Sequence, residues 1–412
     1  MANQPISTPD KEGLVFLSWC CPWPGYSGDA LRTQGLLREI AQGYSVKLIV
    51  FTDKRLSDEQ RHECLKYATD IVEVKMKKKS IMEKLQLIWL ICTKIYPYHP
   101  AIVLASCRGD PIEKMLRESD GLVYCSSSHF YAVADRDKNN PYWIVDQQNA
   151  DADYWRLRAN ELRNPAKKVA ASINRMLTKR YCRDMYSNAG CIVSVCEEDR
   201  ELTKNMVQRA QVEVIENGVD CSYFKPPPKN RVDETKRILF TGTSDERNMK
   251  GLMYFLKDIY PKAKEVMNDI ELIIAGNFSN EAQKTLSKCA KIIFTGRIED
   301  IRPVYEMCHV FINPFHDSYG SKLKISQALA MGICIVTTNN GARGFPLEDG
   351  VTALIANSEV EFLDKLLLAL RNESLRSAIS ANGRMLAEER LDWSVLGRRL
   401  RGILREVKGQ ND

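Results

Sequence analysis

Short runs of aliphatic and β-branched residues recur along the chain, each followed by a longer stretch whose apolar positions repeat at helical spacing. The first series is LVFLS from Leu14, VKLIVF from Val46, GLVYC from Gly121, YWIVD from Tyr142, CIVSV from Cys191 and VEVI from Val212. After Pro228 the rhythm restarts with RILFTG, IELIIAG, KIIFTG, VFINP and CIVTT. Runs that are apolar almost throughout, rather than at every second position, suit strands covered on both faces. Helical crossovers between them make such strands parallel. The pattern predicts an α/β protein with two doubly wound domains, one for each series.

The stretch from Pro226 to Arg237, PPPKNRVDETKR, separates the two series. Tandem prolines followed by charge continue neither a helix nor a central strand, so this reads as an extended connection. The expected division is a first domain at 1–217, a linker at 218–235 and a second domain at 236–395. One segment of the first series stands apart. KMKKKSIMEKLQLIWLICTKIYPY, Lys75 to Tyr98, sets a basic cluster before an apolar helix. Its apolar positions run nearly all round the helix, which favours burial, with at most weak peripheral contact to an anionic membrane.

Composition narrows the function classes. The 412 residues are 44% hydrophobic and 27% charged, an ordinary globular balance that excludes disordered and collagen-like chains. A net charge of +6 is mild for this length, so no nucleic-acid partner is expected, while one basic site for an anionic ligand fits. The opening MANQPISTPDKEG is polar and carries acids, unlike an export signal, and no run reaches the roughly 18 apolar residues of a membrane span. A cytoplasmic location is expected. Thirteen cysteines without a CxxC pair read as reduced, mostly buried thiols. His62, His99, His129, His309 and His316 show no ligand spacing. Asp151-Ala-Asp153 resembles a metal-binding DxD but sits where it would cap the helix ADYWRLRAN.

Three places carry candidate chemistry. LVFLS feeds a Pro/Gly turn and a helix from near Asp29. Gly28, Asp29 and Arg32 thus open a helix whose free N–H groups suit a phosphate, although GxGxxG is missing. GLVYC ends at Ser126, Ser127, Ser128 and His129, at a strand's carboxyl end where open α/β sheets bind ligands. His129 is therefore a candidate ligand contact, and Asp146, Gln147 and Asn149 at the end of the next strand share the argument. In the third place VFINP leads through a loop with Gly320 and Ser321 to KLKISQALAMG. Loop N–H groups and a helix start make an anion site, and Lys322 and Lys324 add two ammonium groups. Cations at that end oppose the helix dipole, so the pair calls for an anionic ligand.

NGVDCSYFKPPP, from Asn217, resembles the segment that ends the first domain of family 4 glycosyltransferases. The second series is then similar to that family in order. RILFTGTSDERNMKGLMYFLKDIYPKA has Gly242 in the turn and Asn248 and Phe255 at the usual spacing. IELIIAG and IIFTGRIEDIRPVYEMCHVFINP follow, then the donor-binding block FHDSYGSKLKISQALAMGICIVTTNNGARGF and, near the end, LDWSVLGRRLRGIL. In the first series PGYSGDALRTQGLL and DQQNADADYWRLRA resemble a subgroup of bacterial sugar transferases. The resemblance spans nearly all of residues 13–408. It implies the GT-B architecture: two Rossmann-like domains with parallel sheets facing a central cleft, donor on the second domain and acceptor on the first. A last helix, 396–412, would pack back on the first domain. It also implies transfer from a nucleotide-sugar, UDP- or GDP-linked, with retention, no cofactor and no required metal, the departing phosphate taking the proton. The acceptor, whether glycan, lipid-linked sugar, protein or small molecule, stays open. By this resemblance Lys322 and Lys324 stabilise the leaving group, Gly320 and Ser321 hold phosphates, Gln327 meets the ribose, and Arg297 and Ile298 join the donor-binding set.

The chain also departs from the family pattern. Two glutamates usually stand eight positions apart in the donor block, where this chain has Tyr319 and Gln327. An amide accepts a hydrogen bond but not as a charged bidentate acceptor. Thr243 replaces the arginine often found after the Gly242 turn, leaving Arg247 or Lys250 to supply that charge. These departures keep two alternatives open: a non-catalytic GT-B subunit that binds a partner or acceptor, and a nucleotide-sugar epimerase on the same fold.

Overall fold

Strand β1 (Gly13–Ser18) has β2 (Ser45–Thr52) and β3 (Asp70–Lys75) on one side. On the other lie β4 (Leu122–Cys125), β5 (Trp143–Gln147), β6 (Cys191–Ser194) and β7 (Val212–Val214), giving the order β3-β2-β1-β4-β5-β6-β7. Every pairing is parallel, and Leu14 meets Val46 on one edge of β1 and Leu122 on the other. The computed structural model describes residues 11–25, 27–76, 97, 100–103, 121–134, 142–148, 164–226, 235–316 and 323–409. Helices α1 (Gly28–Gly43), α2 (Asp58–Leu65), α3 (Pro165–Asn188) and α4 (Glu197–Met206) accompany this sheet. Side-chain caps set two of their starts. Ser27 accepts from the Ala30 N–H, and Ser57 and Gln60 form a reciprocal capping box. Val15 and Leu17 of β1 join Val123, Cys125, Val145 and Ile192 in one buried cluster, while Leu14 and Phe16, on the opposite face of the strand, are buried too.

The second series builds β8 (Lys236–Thr241), β9 (Ile270–Ala275), β10 (Ile292–Gly296), β11 (Val310–Asn313), β12 (Cys334–Thr338) and β13 (Leu354–Ala356), ordered β10-β9-β8-β11-β12-β13 and again parallel. Its two faces are sorted by sequence parity. Ile238, Phe240, Leu272, Ile274, Val310 and Ile312 enter one core, and Leu239, Ile273, Ala275 and Phe311 another. Helix α5 (Glu246–Tyr254) widens into a π turn at Phe255–Ile259 before continuing as Tyr260–Val266. Pro261 has no N–H to return to the previous turn, which accounts for the irregularity just ahead of it. Helices α6 (Leu323–Ala330), α7 (Glu373–Leu386) and α8 (Trp393–Gly409) complete the labelled set.

Contacts divide the chain into two units, Met1–Ile215 with Leu396–Asp412, and Glu216–Val395. Residues 218–224, expected as the start of an extended linker, are instead tied into the second unit. Val219 N–H donates to Leu391 O and Val219 O accepts from Trp393 N–H, Cys221 N–H donates to Asp392 Oδ2, and Arg384 donates to the carbonyls of Cys221 and Phe224. Backbone groups ahead of Pro226 thus find partners within the second unit. Residues 227–234, the Lys75–Tyr98 helix apart from its first two residues and Pro97, and Asn149, Asp151 and Asp153 lie outside the described residues. Among the described residues no helix is long and apolar enough to cross a membrane.

Candidate functional site

In the second sheet the strand order reverses between β8 and β11, which pair through Ile238 with Val310 and Leu239 with Phe311. The carboxyl ends on either side of such a reversal are where doubly wound sheets take ligands. Lys324, the second residue of α6, sends its ammonium to this point. Nζ donates to Thr241 O at 2.7 Å and to Asn248 Oδ1 at 3.1 Å. It also lies 4.4 Å from the Phe240 ring centroid and 4.7 Å from that of Phe315, one ring on β8 and the other just beyond β11. Among the described residues those two oxygens are its acceptors, so an ammonium with three N–H groups has one left to offer. Burial pushes its pKa from 10.5 down to about 7, Asp245 opposing that shift and Arg247 adding to it.

The surroundings of this ammonium follow from local sequence. Asp245 caps α5, accepting from the Asn248 N–H at 2.9 Å, and its second oxygen takes the Thr243 hydroxyl at 2.8 Å and the Asn248 side-chain amide. That leaves the Asn248 carbonyl turned to Lys324. Gly242 makes room, since a Cβ there would lie 2.8 Å from Asn248 Nδ2. Gly276, at φ +124°, passes so close that a Cβ would come within 1.9 Å of Gly242 O.

Of the other expected donor residues in this unit, Gln327 lies one turn beyond Lys324 on α6 and is half-buried. Lys250 is exposed and pairs with Glu246 at 3.2 Å along α5. Arg247 is the cation nearer the site, its guanidinium carbon 5.4 Å from the Phe315 ring centroid. Arg297 is exposed after β10, and Ile298 packs against the core that holds Phe311, two strands from the reversal. Lys322, Tyr319, Gly320 and Ser321 lie outside the described residues.

The first sheet reverses between β1 and β4, and His129 stands just past β4 in the short turn Ser128–Phe130. Its ring meets Trp19 edge-on at 5.2 Å, and burial lowers its pKa to about 4, which keeps the imidazole neutral near pH 7. It is therefore no phosphate cation there, although a neutral imidazole still serves hydrogen bonding. Gly28 and Asp29 are exposed at the start of α1. Arg32 corrects the expectation placed on it. Its guanidinium is 1% exposed and bound to Asp146 through Nε–Oδ2 and Nη2–Oδ1, both 2.8 Å, so this pair ties α1 to β5 rather than facing a ligand. Gln147 is likewise buried, bonded to Tyr186 and Thr203.

Sequence reasoning missed Phe240, Thr241, Asp245 and Phe315. Asp245 carried a signal, an acid at a capping position three residues before Asn248. The other three act through tertiary placement.

Residues 235–372 match the family model described as glycosyl transferases group 1. The chain is 24% identical over 395 residues to an uncharacterized 44.6 kDa protein in the cps region of Klebsiella pneumoniae, spanning 92% of this chain and 96% of that one. It is 26% identical over 214 residues to a GDP-mannose-dependent monoacylated alpha-(1-6)-phosphatidylinositol monomannoside mannosyltransferase of Corynebacterium glutamicum, 47% of this chain and 55% of that one. The crystal structure of Anabaena HepE in complex with UDP-glucose superposes with a TM-score of 0.68 at 12% identity, covering 96% of this chain and 99% of that one. The second unit thus carries a glycosyl transferases group 1 domain, and the protein is a glycosyltransferase with the two-sheet GT-B fold.

Proposed function

We propose that this enzyme is a family 4 glycosyltransferase that takes its sugar from a UDP- or GDP-linked donor, with the diphosphate at the carboxyl ends of β8 and β11. The observation that carries this reading is the Lys324 ammonium at the reversal of the second sheet, with an N–H to spare among the described residues. As the bond from the sugar to the diphosphate breaks, negative charge collects on the leaving oxygens. A fixed ammonium there, in partly desolvated surroundings, stabilises that charge more than it stabilises the bound donor. Gln327, one turn further along α6, meets the ribose through its amide, and Lys322, Gly320 and Ser321 complete the phosphate cradle. Transfer proceeds with retention and without a metal, and the departing phosphate takes the acceptor's proton. A UDP-glucose complex of a protein with this fold and a GDP-mannose-dependent relative support a nucleotide-sugar and leave both bases in play.

The test is a thermal-shift screen of UDP, GDP and their common sugars, followed by turnover with Lys324→Ala. Ligand at a hundred times its dissociation constant adds about 2.7 kcal/mol to the unit that binds it. A lower turnover with a smaller loss of donor affinity is expected for Lys324→Ala. Wild-type turnover in that variant rejects the site, and isomerised donor without transfer rejects the reaction.

A further inference from the structure

We propose that Asp245, acting through Asn248, is the positioning residue that holds the Lys324 ammonium charged and in place at the reversal of the second sheet. This deepens the donor reading above and rests on it only for its effect on nucleotide binding.

The argument begins with the amide. An asparagine offers a carbonyl and an NH2, and only the carbonyl suits an ammonium neighbour. Asn248 Oδ1 faces Lys324 Nζ at 3.1 Å because its NH2 is held by Asp245 Oδ2. With that acceptor gone, nothing at this bond favours the carbonyl facing inward, and the flipped amide would set two N–H groups against a cation. Asp245 is itself fixed by the Thr243 hydroxyl at 2.8 Å and the Asn248 N–H at 2.9 Å, so the carboxylate, the amide and the ammonium form a chain with one direction. Its second contribution is charge. Although the faces of Phe240 and Phe315 attract a cation, the desolvated position and the Arg247 guanidinium disfavour an ammonium. Asp245 is the carboxylate that opposes them. From α6 itself no carboxylate answers, its sequence being LKISQALA. Tyr305, whose hydroxyl donates to Lys324 O at 3.4 Å, is kept protonated by burial and brings no charge.

The experiment reads Lys324 directly. The full-length protein is acetylated briefly with acetic anhydride over a range of pH, and the Lys324 peptide is quantified by mass spectrometry. An unprotonated amine reacts, so the rise in rate marks the ammonium's titration. In Asp245→Asn, which keeps the helix cap, that midpoint should fall by about one pH unit. Asn248→Asp placed in the Asp245→Asn background returns a carboxylate to the ammonium and should restore it. A midpoint unmoved in Asp245→Asn, with thermal unfolding like wild type, overturns the proposal. UDP and GDP affinities measured in parallel separate the two readings. If the midpoint moves while Lys324→Ala leaves both nucleotide affinities unchanged, the positioning role stands and the donor site lies elsewhere.

Discussion

Lys324 is charged at a cost, and that cost has a definite pH signature. Its folded pKa of about 7 lies below the ordinary 10.5, so between these values the unfolded chain binds the proton that the folded chain has released. The residue's contribution to stability therefore rises as pH climbs from 7 toward 10.5. Anion binding runs the other way, because only the ammonium form attracts a diphosphate. Relative to Lys324→Met, wild-type affinity for UDP should fall roughly tenfold from pH 6 to pH 8, while the wild-type unfolding midpoint gains on the variant's as pH rises from 7 to 9. Calorimetric titration and thermal unfolding on the same samples check both, and parallel slopes in the two proteins would refute the account. The lysine itself was legible in the sequence, because cations at a helix start after a Gly-Ser loop are out of place without an anion. Its partners were not, since Thr241 lies 83 residues away. Arg32 shows the converse. A cation in a promising turn was read as ligand-facing, and only the fold reveals an aspartate 114 residues on that buries it.

At the scale of elements, strands and their parallel sense were written in the unbroken apolar runs, since a strand covered on both faces needs no polar side. The order of strands was not, because each crossover satisfies the same local pattern whichever side it takes. That order decides where the ligand crevice opens, so the position of the site depends on information the hydrophobic pattern lacks. The β8–α5 turn then depends on close backbone approach. Gly276 combines a φ of +124° with a would-be Cβ contact of 1.9 Å to a backbone oxygen, so Gly276→Ala must displace the Gly242 turn. We expect a loss of about 3 kcal/mol together with weakened UDP or GDP binding. Gly350→Ala has a φ of +75° but open space and should leave binding intact. Equal effects of the two on nucleotide affinity would show that the turn does not shape the site.

At the scale of the whole molecule the first unit is discontinuous. Leu396–Asp412 group with Met1–Ile215, and α8 begins among residues of the other unit. Leu396, Leu400, Leu404 and Val407 are buried along it. Glu39, 7% exposed, takes Arg401 through Oε2 at 2.9 Å, and Gly397 is required because a Cβ would stand 2.2 Å from that same oxygen. Each buried aliphatic is worth about 2 kcal/mol, so four approach the entire stability of a domain, about 5–15 kcal/mol. Truncation after Val395 should leave Glu216–Val395 with native-like hydrogen-exchange protection while protection across β1, β2 and α1 collapses. Retained protection there would contradict this.

The same discontinuity sets an order of events during synthesis. As a chain emerges from the ribosome, β1 to β7 precede β8 to β13, and α8, most of which groups with the first unit, follows both. The second unit, whose segments are contiguous, has all it needs to close before that helix appears. The half begun first is finished second, and a chain stopped before residue 396, lacking Leu396, Leu400, Leu404 and Val407, should be cut by proteases faster in its first half than the full chain is.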